Sequence, residues 1–278
     1  MHERIQWRNL EPGWIVPRGS VSRTVLRRAL ALTLLLLLGF LVLLAVELVW
    51  ALNGPSLPRR VPLFLDRDFD GPSADPEEPI TVVWLGDSTG AGVGASGVET
   101  ALPTIVAQGL QRSVRLRVLA MSGARVDDVL TKQVPLVKAL RPEVVVVGVG
   151  GNDVTHLTPR SLFEGLYDAM LRSIRSLRPA TLVVIGVGDF GTVPRIPQPL
   201  RALTGWRGRW FDDAIRRVAH RRGAAYVDLY ANTGPAFGHD PALFYSDDGF
   251  HPSDEGYRIW ADVILDVLRA RLRDRLPA

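Results

Sequence analysis

The sequence predicts an α/β protein, a single three-layer domain on a parallel sheet, preceded by one transmembrane helix. Three observations carry this. After Ile80, five short β-branched runs alternate with segments of helical spacing. The runs are apolar at consecutive positions, as strands covered on both faces by helices must be. Upstream, outside that alternation, Ala29–Val46 (ALALTLLLLLGFLVLLAV) contains no charge at all.

Taken in order, Glu47-Leu-Val-Trp-Ala-Leu52 extends the uncharged run, so that the mostly apolar 29–52 exceeds the ~20 residues a helix needs to cross hydrocarbon. Glu47 falls near one end, within reach of headgroups. A cleaved signal peptide is the competing reading, but the run is longer than the ~7–15 residues of a signal core and no A-x-A site follows it. Arg4, Arg8, Arg18, Arg23, Arg27 and Arg28 precede the span, whereas Arg59, Arg60 and Arg67 follow at a distance. This bias makes 1–28 a cytoplasmic basic N-terminus, 29–52 a signal-anchor helix and the remainder extracytoplasmic. Residues 53–79 are rich in Pro, Gly and Asp without a period and form a linker. The folded domain is 80–278. Its strands are expected at 80–85, 114–121, 143–150, 181–188 and 224–230, its helices near 98–111, 125–140, 159–177, 206–222 and 253–273.

Charge and cysteine content narrow the function. Residues 1–60 hold eight arginines against Glu3, Glu11 and Glu47, a net of +5, so the total of +4 leaves −1 for 61–278. Basicity belongs to the membrane end, and no nucleic-acid partner is expected for the domain. Without cysteine, disulfide frameworks and thiolate metal sites are excluded. His156, His220 and His239 do not stand at metal-ligand spacing from carboxylates, so neither a metal nor any other cofactor is expected.

In a parallel sheet, ligands bind beyond the carboxyl ends of the strands, which gives weight to residues immediately after a strand. The first strand ends in Gly86-Asp87-Ser88 and runs on into glycines, of which Gly92-Val-Gly94-Ala-Ser-Gly97 matches G-x-G-x-x-G. A dinucleotide fingerprint begins at the strand end and places an acid about 20 residues on. Here the glycines begin too late, no acid stands between Glu99 and Asp127, and no lysine follows as in a phosphate loop. Nucleotide binding is set aside. A serine nucleophile instead needs a base, a group to orient that base, and donors for the oxyanion. The loop 247-DDGFHPSDEGY-257 supplies Asp248 and His251 three residues apart. Gly123 and Gly150-Gly-Asn-Asp153 follow the second and third strands.

Gly86-Asp-Ser88, Gly123, Gly150-x-Asn152-Asp153 and Asp248-x-x-His251-Pro252 resemble, in order, the four sequence blocks of the SGNH/GDSL hydrolases, and the resemblance covers roughly 80–273. It implies a flavodoxin-like domain with a five-stranded parallel sheet. It also implies that Ser88 attacks, that His251 is the general base and then acid, and that Asp248 orients it. The oxyanion hole would be the backbone N–H groups of Ser88 and Gly123 with the Asn152 amide. Asp87 is expected to brace the serine turn and Asp153 to bond within its own loop.

The expected activity is cleavage of an acyl ester, of a lipid or an acylated carbohydrate, outside the cytoplasmic membrane. Transfer of the acyl group to a cell-envelope glycan would use the same residues, and a non-catalytic carbohydrate-binding domain is the third reading, which the complete Ser88, Asp248 and His251 set disfavours. The substrate pocket is expected to be shaped by 154–160, 189–205 and 231–246, with Asp189 in a loop role.

Overall fold

The computed structural model describes residues 22–55, 57, 63–71 and 78–273; Arg4, Arg8, Arg18, Arg59 and Arg60 of the charge argument lie outside these. The chain divides into two compact units between Ala45 and Val46. Helix α1, Arg23–Leu52, is unbroken, with a mean hydropathy of 3.0 over its most apolar stretch and its apolar side chains exposed. That length and composition suit a membrane span, and an N-terminal signal sequence equally.

The second unit is built on a six-stranded sheet, β1 (Arg67–Phe69), β2 (Ile80–Gly86), β3 (Val114–Val118), β4 (Val144–Gly148), β5 (Thr181–Ile185) and β6 (Ala225–Val227), in the spatial order β1-β3-β2-β4-β5-β6. Strands β2 to β6 are the five expected and are parallel, in the order of flavodoxin-like sheets. The sixth, β1, is antiparallel and comes from the segment read as linker. Three residues give no period to detect. Its edge is held by Asp66, whose carboxylate accepts from Val118 N at 2.7 Å, and by an Arg117–Asp68 pair at 2.8 Å.

Two cores follow from the strand period of two. Val83, Leu85, Val145, Val147, Leu182 and Val184 face one side, where they meet Phe163, Tyr167, Phe211 and Ile215. Val82, Trp84, Val144, Val146, Val183 and Ile185 face the other, against Leu102, Val106, Tyr257, Ile264 and Leu268. The first side is covered by α3 (Val126–Asp128), which runs through a wide turn at Val129–Gln133 into α4 (Val134–Leu140), together with α6 (Arg160–Ser176) and α7 (Leu200–Arg221). The second is covered by α2 (Leu102–Gly109) and α10 (Asp254–Arg273). Short α5 (Gly151–Thr155) follows β4, and α8 (Leu229–His239) and α9 (Pro241–Phe244) follow β6.

The helix expected at 206–222 starts earlier, at Leu200, directly after Pro199. The connection from β5 is therefore shorter than the stretch to Trp206 that the prolines suggested. The segment 231–246 lies mostly in α8 and α9, which the sequence hides because Asn232, Gly234 and Pro235 are poor helix formers. Tertiary packing overrides them. Asp228 caps α8 by accepting from Ala231 N at 2.8 Å, and Phe237, nearly fully buried, meets Tyr245 edge-on and packs at a tilt against Trp260.

Candidate active site

The parallel order reverses at β2 and β4, and the loops leaving these two strands meet at their carboxyl ends. Ser88 stands two residues beyond β2 and Asn152 four beyond β4. The end of β2 is pinned from outside the sheet. The side-chain amide of buried Gln133 accepts from Gly86 N and donates to Gly86 O, both at 2.8 Å, and Met121 N also donates to Gly86 O. Nothing in the helical spacing around Gln133 announces this role.

Ser88 Oγ lies 3.0 Å from His251 Nε2, and His251 Nδ1 lies 2.6 Å from Asp248 Oδ2. The other Asp248 oxygen accepts from the backbone N–H groups of Phe250 and His251, at 2.8 and 2.9 Å, and from Ser246 Oγ at 3.0 Å. Burial works against ionisation of Asp248, but the hydrogen bonds and the neighbouring imidazole outweigh it and hold the carboxyl down at about 2. The loop therefore fixes an ionised carboxylate on one imidazole nitrogen and aims the other at the serine hydroxyl.

The glycine-rich stretch after Ser88 is the seat of this loop. At Gly94, with φ +100°, an added Cβ would come 2.3 Å from Pro252 O and 3.0 Å from His251 Cβ. Ser96 N donates to Asp254 at 2.8 Å and the Tyr257 hydroxyl donates to Val93 O, so the start of α10 is tied to the same turn.

Asn152 Nδ2 donates to Ala124 O at 3.0 Å, which leaves its second amide hydrogen for another acceptor and brings it beside the 121–124 loop carrying Gly123. Gly123 has φ +80°, a conformation that side chains resist. Among the described residues, neither Ser88 N nor Gly123 N donates to a protein acceptor. The three sequence-derived donors are thus uncommitted, wholly or in part, beyond the carboxyl ends of the neighbouring strands β2, β3 and β4.

Asp87 is buried, and burial pushes its carboxyl up to about 6 against the Thr89 N–H and hydroxyl that donate to it at 3.1 and 2.9 Å. It braces the serine turn as expected. Asp153 bonds Thr158 Oγ1 in its own loop but also accepts from Val126 N at 3.1 Å, so it joins two loops. Burial raises its pKa above the ordinary value.

Ser88 and His251 open on a pocket of about 100 Å³. Its walls are apolar, chiefly Phe190, Val193, Phe237, Tyr245, Phe250 and Trp260. Segments 189–205 and 231–246 contribute as expected, whereas 154–160 does not. Asp189 both lines the pocket and caps the following turn by accepting from Gly191 N at 2.8 Å. Phe250 and Trp260 were missed because, by spacing alone, an aromatic in a loop or on a helix face is indistinguishable from core.

Residues 84–259 match the GDSL-like lipase/acylhydrolase family, and the chain belongs to that family. It is 32% identical over 197 residues to a GDSL-like esterase of Mycobacterium tuberculosis, a match that covers 69% of this chain and 62% of that protein. The chain thus spans less than two thirds of that relative's length. Among solved structures it is similar to LAE5, an α/β hydrolase enzyme from the metagenome of Lake Arreo, with a TM-score of 0.58 and 20% identity over 73% of this chain and 98% of that one. The lipase/acylhydrolase of Enterococcus faecalis gives a TM-score of 0.55 and 23% identity, covering 71% of this chain and all of the other. At these identities the likeness is one of fold.

Proposed function

We propose that the chain is a serine ester hydrolase that cleaves acyl esters through an acyl-enzyme, held by α1 in the cytoplasmic membrane with 80–278 outside. The observation that carries the reading is the unbroken line from Ser88 Oγ through His251 to a fully hydrogen-bonded Asp248, at the mouth of an apolar pocket.

Ser88 Oγ attacks the acyl carbonyl while His251 Nε2 takes the hydroxyl proton, and Asp248 stabilises the imidazolium that forms. The carbonyl oxygen, now an oxyanion, accepts from Ser88 N, Gly123 N and Asn152 Nδ2; a single such donor is worth ~3–4 kcal/mol in turnover. Collapse of the tetrahedral adduct expels the alcohol, which takes the proton from His251, and leaves the acyl group on Ser88. Water then attacks with His251 again as base, releasing the acid and restoring the serine. The apolar walls hold the acyl chain and keep bulk water from the ester.

A fluorophosphonate probe tests this directly. It is expected to label the wild-type chain on Ser88, with no effect of chelators or nucleotides, and Ser88→Ala is expected to abolish both labelling and ester cleavage without unfolding the domain. Wild-type cleavage by Ser88→Ala, or labelling of a different serine, would sink the assignment. The anchor is tested separately by membrane fractionation, in which retention after a high-salt wash is expected and recovery of a soluble form starting near residue 53 refutes it.

A further inference from the structure

The last turns of α1 belong to the second unit, and they are held there by two residues that precede α7 or begin it. The Arg195 guanidinium donates from Nε to Ala51 O at 2.7 Å and from Nη1 to Pro55 O at 2.6 Å. Buried Glu47 accepts from Leu200 N at 2.9 Å. Taking α1 as a membrane span, the reading adopted above, the uncharged Ala29–Val46 covers ~27 Å of the ~30 Å hydrocarbon layer. Glu47–Pro55 then occupies the interfacial layer, and the start of α7 is fixed beside it.

From Leu200, Leu203 is only ~5 Å and Trp206 ~9 Å along the helix, so both stay in or next to a headgroup layer of roughly 5–8 Å at any tilt of α7. These two side chains share one face of α7 and are exposed, Trp206 to 67% and Leu203 to 46%. Arg207 donates to Val154 O at 2.8 Å and Thr158 O at 2.6 Å, which seats the 154–158 turn against the same stretch and brings up Leu157, 72% exposed. The Arg160 guanidinium lies 5.4 Å from the Trp206 ring centroid and 4.0 Å from that of Trp210. The segments 157–162 and 200–210 carry Arg160, Arg201, Arg207 and Arg209 and no acid.

We propose that this face of α7, with Leu157 and Arg160, rests on the anionic lipid surface beside the anchor. An exposed tryptophan with leucines and acid-free arginines is what a headgroup layer accepts: the indole fits the polar–apolar boundary, and each arginine near an anionic surface adds attraction. The same clamp sets the site relative to that surface, because Arg195 N donates to Gly249 O at 3.0 Å within the loop that carries Asp248 and His251.

The absence of cysteine makes the test clean. Full-length Leu203→Cys, Trp206→Cys, Arg172→Cys and Leu37→Cys variants, each carrying one environment-sensitive fluorophore, are reconstituted in phosphatidylcholine vesicles with or without phosphatidylglycerol and with nitroxide-bearing lipids. Arg172 is the exposed control on α6, Leu37 the control for the span, and retained fluorophosphonate labelling verifies folding. Labels at 203 and 206 are expected to be quenched several-fold more by headgroup nitroxide than the label at 172, and more strongly with phosphatidylglycerol. Quenching at 37 by a deep nitroxide with none above control at 203 and 206 overturns the proposal and leaves the anchor standing. No quenching at 37 overturns the anchor reading and this one with it. Shielding at 203 that follows protein density and ignores the nitroxide assigns the face to a second copy and likewise overturns the proposal.

Discussion

Gly94 and Pro252 meet backbone to backbone: a Cβ at Gly94 would stand 2.3 Å from the Pro252 carbonyl oxygen, next to His251. A side chain there must push the histidine loop away from the serine turn. Misplacement by ~1 Å can cost about 10² in rate. Gly94→Val is therefore expected to slow fluorophosphonate labelling of Ser88 roughly 10²-fold while the circular dichroism spectrum stays that of a folded α/β domain. Labelling at the wild-type rate would mean that the loop does not depend on this seat.

Asn152 gives a different signature. In the proposed oxyanion hole its second amide hydrogen would meet charge that develops only in the transition state, so Asn152→Ala is expected to lower kcat by about 10²–10³ with little change in KM. Unchanged turnover would remove the amide from the oxyanion hole. A raised KM with normal kcat would make it a ground-state binding residue.

Asp248 links the site to acid stability. It ionises at about 2 in the folded chain against an ordinary 3.8, so the folded state holds the proton less tightly than the unfolded one. The stability this gives is present above pH 3.8 and is lost as the pH falls through that value towards 2, an effect of ~2 kcal/mol. Asp248→Asn should therefore melt at a temperature that depends less on pH over this window than the wild type, measured by thermal scans across it. The same variant should lose ~10⁴ in kcat, since an amide favours the wrong imidazole tautomer. Parallel melting curves through acid would contradict the depressed ionisation.

Much of this was legible before any coordinates. The strands were visible as short β-branched runs, nearly continuous in the central β2, β4 and β5 where helices cover both faces, whereas β3 alternates with Arg115 and Arg117; the strand ends singled out Ser88, Gly123 and Asn152, and the loop before the last helix Asp248 and His251. The use of the glycines at 92–97 was invisible in the sequence: what Gly94 accommodates lies more than 150 residues away. The same is true of Gln133, whose two bonds to Gly86 span 47 positions. Strand β1 is too short to show a period, and α8 runs against its own propensities because Phe237 is held by Tyr245 and Trp260. Long-range contacts decide these features, and local pattern does not contain them.

The pocket makes the acyl group itself predictable. A dry cavity of ~150 Å³ holds benzene, so the roughly 100 Å³ between Ser88 and the Phe190, Phe237 and Trp260 walls suits an acyl chain of about two to four carbons. In a hydrophobic pocket one methylene too many or too few changes kcat/KM by ~10–200-fold. A series of p-nitrophenyl esters from acetate to dodecanoate should accordingly peak at acetate or butyrate and fall steeply beyond. Phe237 is nearly fully buried and forms the wall contributed by α8. Phe237→Leu should open that wall and move the optimum to longer chains, at a folding cost of ~1–2 kcal/mol, while the rate on acetate changes little. If the wild type prefers dodecanoate, or Phe237→Leu leaves the profile where it was, the acyl chain does not bind against α8 and must lie along the open rim.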